Sequence, residues 1–370
     1  LLPGDRFGES VSISDGLVAV GALGHDAAAE DAGAVYLFRY NGSSWEQEAK
    51  LLAPDAAAGD LFGISVAVDN DLLVVGASRD DSTGVDSGSL YAYRNDGTSW
   101  QFEQKLVADH GNQYDLLGTS VDVSGNVVIG GSFGDDSRGL NSGSATIWLF
   151  DGLEWVQDDV LFADDPGPDD HFGRTVAISD TLAVVGSHWK TVGTRFALGA
   201  AYVYSNVLTD WLFEHKLVAS DREELDLFGE AVAVYGHTVL VGAIRTDLEG
   251  ATDAGSANFY AIPRPFIPPE PVAVGESFHT GHESLRLDGV YPNPFRDRVS
   301  IELHLESPSA LSVTVYNMAG QEVAVVTDTF LGSGPARLGW SPAPHLASGM
   351  YLVRVNTGSR VLTSKVALIR

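Results

Sequence analysis

Apolar and polar residues alternate in short runs along the first part of the chain. Val11 and Ile13 alternate with polar neighbours, and Asp15-Gly16 then leads into an apolar run. Strict alternation is typical of a half-buried strand, and an Asp-Gly pair between two such runs predicts a tight hairpin turn. A third and a fourth run follow, joined by an Asn-Gly pair. The pattern therefore predicts four antiparallel strands, at residues 9–14, 17–20, 34–40 and 45–52.

The same four-strand pattern returns every 55 or 56 residues, which gives five repeats. A fixed period of this size marks a supersecondary unit that buries its apolar face against its neighbours. The repeating anchors are Phe7-Gly8, Phe62-Gly63, Leu117-Gly118, Phe172-Gly173 and Phe228-Gly229; Trp45, Trp100, Trp155 and Trp211; Gly21, Gly76, Gly131, Gly186 and Gly242; and Gly33, Gly88, Gly143, Gly199 and Gly255.

Four short strands in each repeat predict an all-β fold, a β-propeller of four-stranded blades. A 3.6-residue period is missing from the repeats, which excludes a helical solenoid. The fifth repeat runs into a proline-rich stretch, residues 262–269, where its tryptophan strand is due. Leu1-Leu2-Pro3 is similar to the end of such a strand. We expect either that a strand preceding Leu1 completes the last blade, or that closure is incomplete.

Charge narrows the choice of partners. Residues 1–284 contain 14 Lys and Arg against 44 Asp and Glu, whereas residues 285–370 contain 8 against 6. Because residues 1–284 are strongly acidic, they repel nucleic acid and anionic lipid. We therefore expect neither as a partner. The acidity is equally explained by solubility at high salt. The chain has no cysteine, and no apolar run approaches the roughly 18–20 residues that span a bilayer.

The first repeat contains four characteristic segments: Gly4-Asp5-Arg6-Phe7-Gly8-Glu9-Ser10-Val11, Val18-Ala19-Val20-Gly21-Ala22, Gly33-Ala34-Val35-Tyr36 and Trp45. With these segments, the repeats over residues 1 to 262 resemble the bacterial FG-GAP repeat family, relatives of the integrin α-subunit propeller. This resemblance implies a propeller with an extracellular role, and it does not supply a ligand.

A second domain is predicted after the repeats. Residues 263–284 are rich in Pro, Gly, Ser and His without alternation, which is typical of an extended linker. Apolar residues then alternate at 299–305, 311–315 and 351–355. This pattern predicts a small Ig-like antiparallel β-sandwich at residues 285–370.

Four segments of this domain occur in a characteristic order: Tyr291-Pro292-Asn293-Pro294-Phe295, the stretch 315–320 ending in Gly320, Gly349 and Tyr351, and Lys365. In these segments the domain resembles the C-terminal sorting domain of the type IX secretion system. The resemblance implies that the type IX machinery of Bacteroidota-like bacteria is a partner, and that the protein is secreted or attached to the outer-membrane surface, usually after cleavage of the domain. An ordinary Ig-like accessory module is the alternative.

Acidic loops follow the second strand of most repeats and are candidates for calcium. Calcium needs six to eight oxygen ligands around a tight bend, and the hairpin turns of the repeats are too short to supply them. The open alternatives are a calcium site in the acidic loops or solvated acidic turns. We expect no other cofactor. The candidate ligands are Asp80, Asp81, Asp86, Asp135 and Asp136.

Side chains that recur in every repeat are expected to be structural, because a catalytic group is needed only once. The recurring tryptophans are expected to pack blade against blade. The carboxylate before each Phe-Gly pair is expected to cap a turn between blades. These carboxylates belong to Asp5, Asp60, Asp115, Asp170 and Asp226.

Function is expected where the repeat breaks. The fourth repeat replaces the acidic loop by an aromatic and basic segment, whose residue types are common at binding interfaces. The alternative is a loop that folds its aromatic side chains inward. The candidate ligand-binding residues are His188, Trp189, Lys190, Arg195 and Phe196.

The sequence contains no nucleophile elbow, phosphate loop or zinc spacing. We therefore expect a secreted or cell-surface binding and adhesion propeller without catalysis, whose ligand is an unidentified extracellular protein or glycan. Two alternatives stay open. One is an extracellular propeller enzyme, a glycan hydrolase or lyase. The other is a structural surface-layer component.

Overall fold

The computed structural model describes residues 1–179, 181–207, 210–247, 250–262, 285–291, 298–305, 308–317, 322–343, 346, 349–357 and 361–368. The chain divides into two compact bodies, Leu1–Pro263 and Arg264–Arg370. The predicted linker, residues 263–284, lies outside the described residues.

The first body contains five antiparallel sheets that follow one another along the chain, as the repeats predict. Each of the first four sheets has four strands in sequence order, and the fifth has three. The strands of the first two blades are β1 Phe7–Ser14, β2 Leu17–Ala22, β3 Ala34–Tyr40 and β4 Trp45–Leu51, then β5 Ser65–Asp69, β6 Leu72–Ala77, β7 Ser89–Asn95 and β8 Trp100–Leu106.

The remaining blades repeat this order, and the fifth lacks a tryptophan strand among its described residues, as the sequence predicts. Their strands are β9 Ser120–Ser124, β10 Val127–Ser132, β11 Ser144–Phe150 and β12 Trp155–Leu161; β13 Phe172–Ser179, β14 Leu182–Ser187, β15 Ala200–Val207 and β16 Asp210–Leu217; and β17 Phe228–Tyr235, β18 Thr238–Ala243 and β19 Ser256–Ala261. The all-β propeller prediction is confirmed.

The first strand of each blade lies at the edge of its sheet, so one row of its backbone N–H groups needs partners from elsewhere. Side-chain oxygens of the preceding blade accept these hydrogen bonds. Ser12 accepts from the N–H of Val68 at 3.0 Å, and Asp122 accepts from the N–H of Ile178 at 2.7 Å. Neighbouring blades are therefore joined by hydrogen bonds as well as by apolar packing.

The Phe-Gly pairs lie where the blades come closest. Gly33 forms a parallel bridge with Phe62, and a Cβ added at Gly33 would lie 2.0 Å from the Phe62 carbonyl oxygen. A side chain at Gly33 would therefore force the blades apart. Phe62 is fully buried, whereas Phe7 of the first blade is 41% exposed because no described blade precedes it.

The repeated tryptophans pack between blades, as the sequence predicts. Trp100 and Trp155 are buried, and each indole Nε1 donates to a glutamate of the preceding blade. The distances are 2.7 Å to Glu48 and 2.9 Å to Glu103. Trp45 has no preceding blade among the described residues and is 47% exposed.

The described part of the second body forms a three-stranded and a four-stranded sheet, in the orders β20-β21-β24 and β23-β22-β25-β26. Alternating residues of both sheets, such as Val299, Val313 and Val353, form one apolar core. The sandwich prediction is confirmed. The strands are β20 Leu285–Tyr291, β21 Val299–Leu305, β22 Ser309–Asn317, β23 Glu322–Leu331, β24 Gly334–Trp340, β25 Gly349–Asn356 and β26 Val361–Leu368.

The predicted sorting residues fall partly on these strands. Tyr291 ends β20, Gly349 and Tyr351 lie on β25, and Lys365 lies on β26. The Tyr351 ring is buried and meets the Trp340 ring edge-on, with centroids 5.5 Å apart. Four further sorting residues, Pro292, Asn293, Pro294 and Phe295, lie outside the described residues, as does Gly320.

Candidate functional site

The acidic loops after the second strands share one local hydrogen bond. In four repeats an aspartate Oδ1 accepts the backbone N–H of a residue five or six positions later, which closes the loop on itself. The residue that donates also has a positive φ, which Asp and Asn tolerate better than most residues. The acceptor and donor pairs are Asp26 and Asp31, Asp81 and Asp86, Asp136 and Asn141, and Asp247 and Asp253.

The other two calcium candidates, Asp80 and Asp135, are buried and already bonded to protein groups. Asp80 accepts from the Tyr91 hydroxyl at 2.8 Å and from the Lys105 ammonium at 2.7 Å. Burial opposes ionisation of Asp135, but the hydrogen bonds from His110 and Ser137 outweigh it and lower its pKa to about 2. In the described part of the chain, no group of three or more His, Asp or Glu side chains has the geometry to hold a metal ion.

The recurring carboxylates before the Phe-Gly pairs are buried turn caps, as the sequence predicts. Asp5, Asp60, Asp115 and Asp226 each accept the backbone N–H of the residue three positions earlier, at 2.5 to 2.7 Å. Asp170 of the fourth repeat differs, because its carboxylate bonds to Lys190 and to the N–H of Thr191. The fourth repeat therefore departs from the pattern at this carboxylate as well as in its loop.

The loop of the fourth repeat is a tight hairpin. Val192 and Arg195 exchange two backbone hydrogen bonds of 3.1 Å around Gly193, whose φ is +64°. Thr191 stands where the other repeats have the aspartate that closes the loop, so that bond is replaced by the hairpin. The hairpin brings Trp189 and Phe196 together at its base, with ring centroids 5.7 Å apart.

Trp189 belongs to a cluster of five rings, which we call the aromatic platform. It stacks on His171 with centroids 4.7 Å apart and an interplanar angle of 20°. His171 in turn lies 5.2 Å from Phe133 and 5.5 Å from His188. Trp189 is 37% exposed, so part of the indole is open to solvent while the ring stacks on the His171 imidazole. The platform consists of Phe133, His171, His188, Trp189 and Phe196.

The repeat backbone positions His171. The residue between the buried aspartate and the Phe-Gly pair has a positive φ in all five repeats, and it is 54° at His171. Such a conformation is costly for a residue with a side chain, but its recurrence shows that it belongs to the scaffold. The fourth repeat therefore places an imidazole where Leu61, Leu116 and Leu227 stand elsewhere.

Burial keeps the platform uncharged at neutral pH. It lowers the pKa of His188 to about 3, and His171 and Arg174 add to this effect. Burial also lowers the pKa of His171. The Glu230 carboxylate lies 3.6 Å from His188 Nε2, and burial raises the pKa of Glu230.

The structure gathers three of the five predicted ligand-binding residues, namely His188, Trp189 and Phe196. His188 is buried beneath the stack, whereas Trp189 and Phe196 form its exposed part. Lys190 is not part of the platform, because its buried ammonium donates to the Asp170 carboxylate at 2.7 Å and to the carbonyl oxygen of Asp165.

Arg195 is exposed and also turns away from the platform rings. Its guanidinium donates to the carbonyl oxygen of Arg222 at 2.9 Å. It borders an open polar cavity of about 550 Å³ that is lined otherwise by Ser220, Asp221, Arg222, Glu223 and Glu224.

Sequence reasoning missed Phe133, His171 and Glu230, because they lie outside the loop in which the repeat visibly breaks. A comparison of equivalent positions would have found His171, which replaces leucine in three repeats. Phe133 and Glu230 occupy neighbouring repeats, and only the stacking of the blades brings them to the platform.

Fold and sequence pattern together define an all-β repeat protein of the β-propeller class that carries a small C-terminal β-sandwich. The chain belongs to the FG-GAP repeat family, whose model matches residues 2–38, 45–93, 100–148, 155–204 and 211–260. A secretion system C-terminal sorting domain matches residues 289–369. The protein is therefore secreted or attached to the outer-membrane surface by the type IX route, and this domain is its link to that machinery.

A search of curated proteins finds no match. Among solved structures, the chain is similar to an exo-β-1,3-galactanase of Phanerochaete chrysosporium, at 8% identity and a TM-score of 0.36, over 89% of this chain and 90% of that one. It is also similar to the β-propeller domain of the Trilobed protease of Pyrococcus furiosus, at 10% identity and a TM-score of 0.38, over 97% and 96%. Likenesses this weak carry no argument about function.

The described residues contain no helix that is long and apolar enough to cross a membrane.

Proposed function

We propose that the protein is a secreted or cell-surface binding and adhesion propeller without catalytic activity of its own, and that the aromatic platform holds its ligand. The observation that carries this proposal is the Trp189 indole, which is stacked on His171 and exposed in the one repeat that has lost its acidic loop. A rigid, solvent-facing aromatic surface is a common anchor for ligands.

The size of the platform favours a glycan over a protein. Only Trp189 and Phe196 present large exposed aromatic surfaces there, and a stable protein interface needs about 800 Å² on each partner. A sugar ring, in contrast, is covered by one or two aromatic faces. The imidazoles are neutral at pH 7, so the surface suits a neutral saccharide even though the body around it is acidic.

Glycan-array binding of the full chain tests this function. We expect binding to a restricted set of neutral glycans, and we expect Trp189→Ala to weaken it at least tenfold. Trp45→Ala is the matched control, because Trp45 is also half-exposed but lies on the first blade away from the platform. Equal losses in both variants, or no glycan binding at all, would contradict the proposal.

The same experiment tests the absence of catalysis. Bound glycans are recovered after prolonged incubation and analysed by mass spectrometry. We expect them unchanged. Shortened or unsaturated products would favour the enzyme alternative, a glycan hydrolase or lyase, over the binding function.

A further inference from the structure

A cavity of about 720 Å³ opens between the first and second blades. Its walls include Arg39 and Glu48 of the first blade and Asn95 and Trp100 of the second. Sites for small molecules commonly have volumes of about 300–1,000 Å³, so this cavity is large enough for one.

At the equivalent place between the second and third blades stands an aromatic side chain of the protein. The Phe150 ring centroid lies 5.1 Å from the Arg94 guanidinium carbon and 5.3 Å from the centroid of the Trp155 ring. Glu103 holds both of these neighbours, since it pairs with Arg94 and accepts the indole N–H of Trp155. A guanidinium can therefore bind a carboxylate and an aromatic ring at the same time, and the ring attracts the cation through its negative π face.

The first two blades carry the same frame with a different residue inside it. Glu48 pairs with Arg39 and accepts the indole N–H of Trp100 at 2.7 Å. Residue 95, like residue 150, pairs with the tryptophan that starts the next strand, but it is asparagine instead of phenylalanine. The cavity therefore opens where the repeat pattern would place an aromatic ring.

The charged groups that line the cavity indicate a second property of its ligand. Three carboxylates lie there, those of Asp15, Glu48 and Asp71, against the one guanidinium of Arg39. Arg94, which lies 3.5 Å from Asp71, offsets part of this charge. The remaining negative charge favours a ligand with a cationic group.

We propose that this cavity binds a small aromatic amine, a molecule with one planar ring and one ammonium group. The ring packs between the Arg39 guanidinium and the Trp100 indole, and so takes the place that Phe150 has at the next interface. The ammonium group lies toward the carboxylates of Asp15 and Asp71. This inference is independent of the aromatic platform, which other blades supply.

Titration calorimetry of the full chain with phenethylamine tests the site. We expect saturable one-to-one binding, which added salt weakens severalfold because the charges lie in an open cavity. The comparison ligand is 2-cyclohexylethylamine, which has the same charge and nearly the same size but no π face. We expect it to bind at least tenfold more weakly.

Asn95→Phe fills the cavity with a ring of the protein itself. Tyr40 and Phe150 already occupy this position in the first and third blades, so the fold accommodates an aromatic side chain there. We expect an unchanged or higher urea midpoint and at least a tenfold loss of phenethylamine binding. Asn95→Ala is the matched control, because it also removes the 3.1 Å hydrogen bond to Glu48 but leaves the cavity open. It is expected to bind within threefold of the parent chain.

Arg39→Met removes the cation that the ring covers and keeps a side chain of similar length. The Arg39 side chain is 42% exposed, so we expect the fold to persist. Loss of a positive charge would by itself strengthen binding of an ammonium, whereas loss of the stacking partner is expected to weaken it at least tenfold. Arg94→Met is the matched control, because Phe150 already covers that guanidinium. It is expected to change phenethylamine binding less than threefold.

Several outcomes would overturn the inference. They are absence of saturable binding, equal affinity for the cyclohexyl analogue, and undiminished binding by Asn95→Phe or Arg39→Met. Trp189→Ala is expected to bind phenethylamine like the parent chain. If Trp189→Ala lost this binding and Asn95→Phe kept it, the amine would occupy the aromatic platform instead. Glycan binding is expected to be unchanged in Asn95→Phe, so failure of this site is distinct from failure of the glycan site.

Discussion

Lys190 and Asp170 form a buried ion pair, with Nζ 2.7 Å from Oδ2 and side chains that are 4% and 1% exposed. Asp80 and Asp135 occupy the position of Lys190 in the second and third repeats. Each of them also meets an oppositely charged or protonatable partner, Lys105 and His110 respectively. In these three repeats the side chain at this position therefore makes a polar contact. Its charge can be positive or negative, provided that a neighbouring side chain compensates that charge.

Removal of the Lys190 ammonium is expected to destabilise the fold. Lys190→Met leaves Asp170 buried without its counter-charge, and breaking such a pair costs about 3–5 kcal/mol. Urea denaturation of the full chain measures the loss. Lys216→Met is the control, because Lys216 pairs with Asp165 at 2.6 Å but is more exposed, and its loss is expected to cost about 1 kcal/mol or less. Similar costs for both variants would contradict the burial of Lys190.

Stability is expected to fall in acid because of His188. Its folded pKa of about 3 lies below the usual value near 6.5, so the unfolded chain binds an extra proton between these values. The free energy of unfolding therefore decreases as the pH falls from 6.5 toward 3. The groups that face His188 are His171, Arg174 and Glu230. His171 shifts in the same direction, while the raised pKa of Glu230 acts oppositely.

His188→Leu isolates this effect, and the first repeat already has leucine at the equivalent position, Leu23. Relative to the parent chain, the variant is expected to gain stability as the pH is lowered from 6.5, by about 3 kcal/mol at pH 4. Urea denaturation between pH 4 and pH 7 measures it. If the free energies of unfolding of the parent chain and of His188→Leu changed with pH in parallel, His188 would not be held neutral in the folded protein.

Close approach of the blades is tested at Gly173. A Cβ at this residue would lie 2.1 Å from the Ser144 carbonyl oxygen, and its φ is +87°. Gly97 has nearly the same φ, +89°, but a Cβ there meets nothing within 4 Å. Both Gly173→Ala and Gly97→Ala strain the backbone, because each puts a side chain at a positive φ. We expect Gly173→Ala to lower the free energy of unfolding by about 1–3 kcal/mol more than Gly97→Ala does, because only the methyl group at residue 173 is overpacked. Thermal or urea denaturation measures both losses. Equal losses would show that the neighbouring blades move apart to accommodate the methyl group at residue 173.

The packing of the tryptophans between blades is tested by comparing a buried tryptophan with an exposed one. Trp155 is 3% exposed and Trp45 is 47% exposed. Trp155→Ala is expected to cost about 3–5 kcal/mol, since it leaves a cavity and removes one hydrogen bond to Glu103, which keeps its ion pair with Arg94. Trp45→Ala is expected to cost less than half as much. A cost at Trp45 equal to that at Trp155 would mean that another group covers the first blade in solution.

The fold could be predicted from the sequence because its information is local and repeated. Alternation around Val11 and Ile13, the Asp15-Gly16 turn and the constant spacing of Trp45, Trp100 and Trp155 define strands, hairpins and blades without knowledge of distant contacts. The missing strand of the fifth blade was visible in the same way. The break in the fourth repeat likewise pointed to Trp189 and Phe196.

What the sequence by itself determined is the periodic scaffold, because strand alternation and turn chemistry act between residues close in the chain. The tertiary structure decided which side chains that are distant in the chain meet. Lys190 was predicted on the ligand surface and instead neutralises a buried carboxylate, while His171 and Phe133 joined the aromatic platform. Phe133 lies 38 positions before His171, and Glu230 lies 42 positions after His188; the members of each pair belong to neighbouring repeats and come together only through the stacking of one blade on the next.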